Sequence, residues 1–209
     1  LTIIFGLLDV INMSHGEFYA IGAFIALGLG QLGLPFWLLL VAVPLLMLPI
    51  GYIVERGLIQ RVFHSEDRHV TTLLLTFGFG LVLEDALRLA FGPNPHKPET
   101  PIPGAVEVLG TYLPLYRLFM VGVGGLVIIG TALIVYRTRL GAMVRAAAFD
   151  RDMAASLGVP VERVYAGAFA FGVALAGLAG VLLAPIYSVF PTMGRDFILL
   201  AFTVIIVGG

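Results

Sequence analysis

The chain of 209 residues contains no cysteine, which excludes disulfides, thiol nucleophiles and thiolate metal sites without naming a compartment. It is also poor in charge. Only 12% of its residues are Asp, Glu, Lys or Arg, whereas 59% are hydrophobic, and the mean hydropathy is +1.03. Too little polar surface remains to cover a soluble globule, so the composition is that of a membrane protein. The net charge of −1 offers no electrostatic footprint for nucleic acid. Enzyme signatures are missing too: there is no His-Glu-x-x-His helix, no Gly-x-Ser-x-Gly elbow, no Cys/His cluster and no Gly-x-x-x-x-Gly-Lys-Ser/Thr phosphate loop. We expect no catalytic residue, no metal site and no bound cofactor. If ATP drives this protein, another chain must hydrolyse it.

The apolar runs have the length a helix needs to cross roughly 30 Å of hydrocarbon, and they lack the short alternation of barrel strands. Spans are expected at 18–34, 36–54, 70–91, 117–136 and 164–184, with a partial one at each end. The fold class is therefore all-α, a polytopic helical bundle forming one transmembrane domain over 1–209. Both termini read as cut, since the chain opens at Leu1-Thr-Ile-Ile-Phe and stops at Val204-Ile-Ile-Val-Gly-Gly209, each inside an apolar run. Whether 1–17 spans or folds back within the membrane is left open.

Basic residues set the orientation, because short loops rich in Lys and Arg stay in the cytoplasm. Loop 55–69 holds Arg56, Arg61 and Arg68, and loop 137–163 holds Arg137, Arg139, Arg145, Arg151 and Arg163. Loop 92–116 has only Lys97, and loop 185–196 only Arg195. The first pair is expected inside and 92–116 outside. That outer loop is rich in proline and should be irregular, apart from a small hairpin in Val106-Glu-Val-Leu-Gly-Thr-Tyr-Leu turning at Leu109-Gly110.

Polar residues in apolar spans carry a free-energy cost unless paired or wetted, so they are the first candidates for function. Asn12-Met-Ser-His-Gly-Glu17 interrupts a nearly continuous apolar run from Leu1 to Leu34. One reading is a broken helix whose Asn12, Ser14, His15, Gly16 and Glu17 border a translocation path. The other is an interfacial turn, with Asn12 or Ser14 capping a helix that begins near Glu17. Glu84, Asp85 and Arg88 form a second polar group, in which Glu84 and Arg88, one helical turn apart, should form an ion pair that snorkels at the outer end of its span; a substrate contact is the other reading. His64, His69 and His96 read as solvated loop side chains. Small residues recur at every fourth position, Gly22, Ala26 and Gly30 in one span and Ala168, Gly172, Ala176 and Gly180 in another, which predicts close helix packing within the bundle, with a dimer face or a pathway lining as the alternative.

Loop 137–163 is alanine-rich as well as basic, and can itself be helical. Within it, Asp152-Met-Ala-Ala-Ser-Leu-Gly158 resembles the Glu-Ala-Ala-x-x-x-Gly loop of ABC importer permeases, with Asp152 at the Glu position, Ala154 at the second Ala and Gly158 at the Gly; Met153 departs from the first Ala. Gly141-Ala-Met-Val-Arg-Ala-Ala-Ala-Phe-Asp150, Gly158-Val-Pro-Val-Glu-Arg163, Ala174-Leu-Ala-Gly-Leu-Ala-Gly-Val-Leu182, Asp9-Val-Ile-Asn-Met-Ser-His-Gly-Glu-Phe18 and Val54-Glu-Arg56 add to it. Together they are similar to the shorter permease subunit of the branched-chain amino acid ABC transporters, over essentially the whole chain. The resemblance implies a bacterial or archaeal plasma (inner) membrane location, a second permease subunit, two ATPases and a periplasmic or extracellular substrate-binding protein. It assigns ATPase coupling to Arg145, Asp150, Asp152, Ala154 and Gly158. Physically, Asp152 would cap a short helix and favour its positive pole, and Gly158 would permit a left-handed stop. Urea and short-chain amide permeases share these motifs. The rival from another class is an ion-coupled secondary transporter, which would want carboxylates deep in the spans, and a membrane-embedded hydrolase is more distant still.

Overall fold

The computed structural model describes residues 12–62, 67–108 and 110–208, so the expected partial span before Asn12 and the side chain of His64 lie outside the described residues. Helix α1 runs His15–Gln31 and α2 Phe36–Val54, the latter entered through Pro35 and continuing through a π-helical turn at Glu55–Ile59 into a last turn, α3, at Gln60–Val62. Most of the expected loop 55–69 is thus helix. Helix α4 spans Arg68–Phe91 and therefore includes His69, which is not a loop residue. Two short strands, β1 (Ala105–Val108) and β2 (Thr111–Pro114), pair antiparallel around the anticipated turn, where Gly110 has a φ of +79°. Helix α5 follows at Leu115–Arg137, then α6 (Arg139–Phe149), α7 (Arg151–Ser156), α8 (Val161–Tyr187) and α9 (Met193–Gly208). Phe36–Val62, Val70–Phe91, Leu115–Arg137 and Val161–Tyr187 are each long and apolar enough to cross a membrane.

Helix α8 is the core. Its buried face carries Ala166, Phe169, Val173 and Gly177, against which α1 and α2 pack. The expected small-residue ridges meet here, displaced by one position: a Cβ on Gly22 would run into the backbone of Gly177, and one on Gly180 into Tyr19 O and Ala23 N. Removing the side chains lets two backbones touch, which is how helices attract in lipid without a hydrophobic driving force. By contrast α5 buries only Tyr116, whose hydroxyl donates to Leu182 O at 2.7 Å.

The loops sort to two ends. At one, Arg56 pairs with Glu162 at 3.7 Å and Gln60 Nε2 donates to Glu162 O at 3.5 Å, which joins the 55–62 region to the 137–163 region. At the other, His96 and Val189 exchange backbone hydrogen bonds at 2.8 and 2.7 Å, so the proline-rich loop is tied to the segment after α8. His96 is accordingly part of an ordered bridge. The pairing of ends agrees with the alternation read from the basic residues.

Candidate functional site

Asn12 to Glu17 stand beside the middle of α4. Met13 N donates to Thr76 Oγ1 at 3.1 Å, and a Cβ on Gly80 would lie 3.6 Å from both Ser14 Cα and Glu17 Cγ. At about 1.5 Å rise per residue, Gly80 is about 18 Å from the start of α4 and about 17 Å from its end. Helix α1 therefore begins about halfway along a helix of membrane-spanning length, whereas an interfacial turn would sit level with one end. Its 17 residues give about 25 Å, short of roughly 30 Å of hydrocarbon.

The helix starts at His15, two residues before Glu17, with Ser14 at the N-cap position but making no side-chain bond to the helix. Instead Asn12 Oδ1 accepts from Ser14 N at 3.0 Å and from Ser14 Oγ at 2.7 Å, a local turn of the kind Asn forms with its own backbone two residues on. Asn12, Ser14, His15 and Glu17 are all buried, and Asn12 Nδ2, His15 Nδ1 and Glu17 Oε2 have no hydrogen-bond partner among the described residues. His15 and Gly16 also line a cavity of about 260 Å³ between α1, α8 and α9, walled by Tyr19, Ala176, Phe197 and Ile198. Gly16 is required for contact: a Cβ there would meet the backbone carbonyl of Gly194.

The second polar group is built differently from expectation. Glu84 and Arg88 do pair, at 3.0 Å, but Glu84 is buried and accepts a further bond at 2.6 Å from Arg195 on α9. Only Arg88, about half exposed, fits the snorkelling description, and it also lies 3.5 Å from Asp85. Arg195 is 111 residues from Glu84, and no local pattern announces that pairing.

Glu55 was also missed. It is fully buried in the π-helical turn, with both carboxylate oxygens lacking a partner among the described residues. A charge immediately after 19 uncharged residues reads as an interface marker, and the π-helical turn that carries it inward leaves no sequence signal.

At the Arg56–Glu162 end, the expected helix-turn is present. Thr138 caps α6 by accepting from Gly141 N at 3.0 Å, and Asp150 caps α7 by accepting from Met153 N at 2.9 Å. The cap is thus Asp150 and not Asp152, which lies in the first turn, where its charge still favours the helix pole. Helix α7 closes on Gly158, whose φ is +84°, with Gly158 N bonded to Ala155 O at 2.9 Å and Val159 N to Ala154 O at 3.0 Å. These two bonds make a Schellman stop. Ala154 does not face outward: it is 2% exposed and belongs to the chain's own core, because its side of the short helix packs inward. The outward side chains are Phe149, Met153 and Leu157, at 91%, 60% and 79% exposure, four residues apart. Arg145 turns back, bonding Val135 O and stacking 5.6 Å from the Tyr136 ring, so it ties α6 to α5. No group of three or more His, Asp or Glu that could hold a metal occurs among the described residues.

No solved structure matches the chain. The high-affinity branched-chain amino acid transport system permease protein BraD of Pseudomonas aeruginosa is 31% identical over all of this chain and 72% of its own length. The LivH permease of the corresponding system of Escherichia coli K12 is 28% identical over the same shares, and a probable LivH of Methanocaldococcus jannaschii is 34% identical over 40% of this chain and 27% of its own. Residues 1–209 match the family described as branched-chain amino acid transport system, permease component, and the chain belongs to that family.

Proposed function

We propose that this protein is the membrane-spanning permease subunit of an ATP-driven importer of branched-chain amino acids, placed in a bacterial or archaeal inner membrane with loop 137–163 in the cytoplasm. A second permease subunit completes the pathway, two separate ATPases supply the energy, and a soluble binding protein delivers substrate from outside. The observation that carries this reading is α7: a short helix capped by Asp150 and stopped by Gly158, which holds Met153 and Leu157 out at the end of the bundle next to Phe149. Large apolar side chains exposed in a row beyond a basic segment want a cleft on another protein. Asp152 adds a charge at the helix start, Ala154 keys α7 to the permease core, and Arg145 keeps α6 in place. Substrate passes the break at Asn12, Ser14, His15, Gly16 and Glu17, where buried polar atoms without partners among the described residues lie about halfway along α4. Such atoms are tolerated at membrane depth only where protein or water satisfies them, as along a path.

Uptake by proteoliposomes containing all subunits, tested against leucine, valine, urea and short amides, checks the assignment. Leucine and valine should enter with ATP and the binding protein, and preference for urea or an amide would reassign the substrate within the family.

A further inference from the structure

Glu17, Glu84 and Arg195 come from three helices, α1, α4 and α9, and meet at one level. A Cβ on Gly80 would lie 3.6 Å from Glu17 Cγ, and Glu84 is one turn further along the same face of α4. Gly194 covers the other side: a Cβ there would lie 2.7 Å from Glu17 Oε1. The next residue in the chain, Arg195, reaches Glu84 at 2.6 Å. The charges around this point are unevenly shared. Glu84 holds two arginines, Arg195 and Arg88, and Asp85 shares Arg88. Glu17 has no ion pair among the described residues, and its buried Oε2 has no hydrogen-bond partner among them.

A lone carboxylate at membrane depth is unfavourable until a cation joins it. Arg195 is in the opposite condition: its side chain is 56% exposed, and its bond to Glu84 uses only Nη2 of a group with five N–H donors. A carboxylate packed against Gly194 and a half-used cation on the next residue, Arg195, are therefore brought to the same end of α9. We infer that Glu17 and Arg195 form an ionic subsite for a zwitterionic α-amino acid, Glu17 taking the α-ammonium and Arg195 the α-carboxylate, with Glu84 holding the arginine in place. The inference rests on the reading that Asn12 to Glu17 border the path. An α-amino acid carries both charges on one carbon, which matches this pair of groups; urea and amides carry neither and would leave Glu17 without a counter-ion. Selection among leucine, isoleucine and valine lies elsewhere, because the subsite touches only the backbone part of the substrate.

The test uses the complete complex of both permeases and the ATPases, without the binding protein, so that only the membrane subunits select. Photo-leucine, a diazirine analogue that keeps both charges, is cross-linked and mapped on this chain, with L-leucine, leucinamide (no carboxylate) and 4-methylpentanoate (no ammonium) as competitors. The label should fall on α1 or the start of α9, L-leucine should compete at least about ten-fold better than either analogue, and Glu17→Gln should cut labelling about ten-fold or more. Glu17→Asp, which keeps the charge, should retain more label than Glu17→Gln. Competition by 4-methylpentanoate equal to that by L-leucine, wild-type labelling of Glu17→Gln, or no leucine-competed label on α1 or α9 overturns the inference. Gly80→Leu, which places bulk against Ser14 and Glu17, separates it from the path itself. If that variant stops ATP-driven uptake while Glu17→Gln labels normally, the path stands and the subsite falls; if it transports normally and the label maps elsewhere, both fall.

Discussion

Gly158 offers a substitution series in which geometry isolates one physical term. Its φ of +84° is a conformation that side chains disfavour, yet among the described residues no atom beyond its two chain neighbours lies within 4 Å of where a Cβ would stand. No clash contributes, so the whole penalty is conformational. Alanine should cost about 1–2 kcal/mol, asparagine less because it tolerates the left-handed region, and valine about 2 kcal/mol or more because its branched Cβ crowds the following carbonyl. If the closed α7 is what the ATPase grips, that energy is subtracted from binding, and about 1.4 kcal/mol corresponds to a factor of ten in Kd. We expect the ATPase to bind permease in nanodiscs with affinity falling in the order glycine, asparagine, alanine, valine, with valine weaker by about ten-fold or more. Thermal unfolding of the permease itself should move little, since the site is at one end of the bundle. The reasoning is refuted if asparagine is as poor as valine, or if valine binds like the wild type.

Gly22→Ala should lower the thermal stability of the permease by about 1–3 kcal/mol, because its Cβ meets the backbone of Gly177. Gly167→Ala, on α8 with open space around it, should be neutral or slightly stabilising by the same measurement. Tyr116→Phe removes the hydroxyl that donates to Leu182 O and should cost about 0.5–1.5 kcal/mol in denaturation, with uptake per folded molecule unchanged. Single cysteines at Ser156 and Thr100 should be labelled by an impermeant reagent from opposite faces of the membrane; labelling of both from outside in intact cells contradicts the orientation.

The sequence made the periodic features legible and hid the non-local ones. Spans such as 36–54 and 70–91 follow from length and apolarity alone, and they agree with α2 and α4 to within two residues. The hairpin around 109–110 was signalled by the glycine following a short alternating run, and the stop at Gly158 by the one residue type that adopts a left-handed backbone without strain. The cap moved from Asp152 to Asp150 because capping depends on which residue is half outside the helix, and two acids two residues apart offer the same chemistry. Ala154 was assigned to a partner surface because a motif gives spacing, whereas burial depends on how α7 packs against its own core. Glu84 was read as snorkelling because Arg88 is its helical neighbour; the arginine that accompanies its burial is Arg195, from another helix. The burial of Glu55 left no signal, since it comes with a π-helical turn in contact with α8 that no local pattern announces.

The central claim is that ATP hydrolysed by partner subunits drives an amino acid through this permease. The rival, ion-coupled transport, gains some interest from the buried Glu17 and Glu55. Initial rates of L-leucine uptake should be measured in proteoliposomes containing the complete importer and its binding protein, energised either by ATP on the ATPase side or by an imposed sodium or proton gradient. The account predicts uptake with ATP alone, abolished by omitting either the binding protein or the ATPases. Uptake driven by an ion gradient without ATP would contradict it.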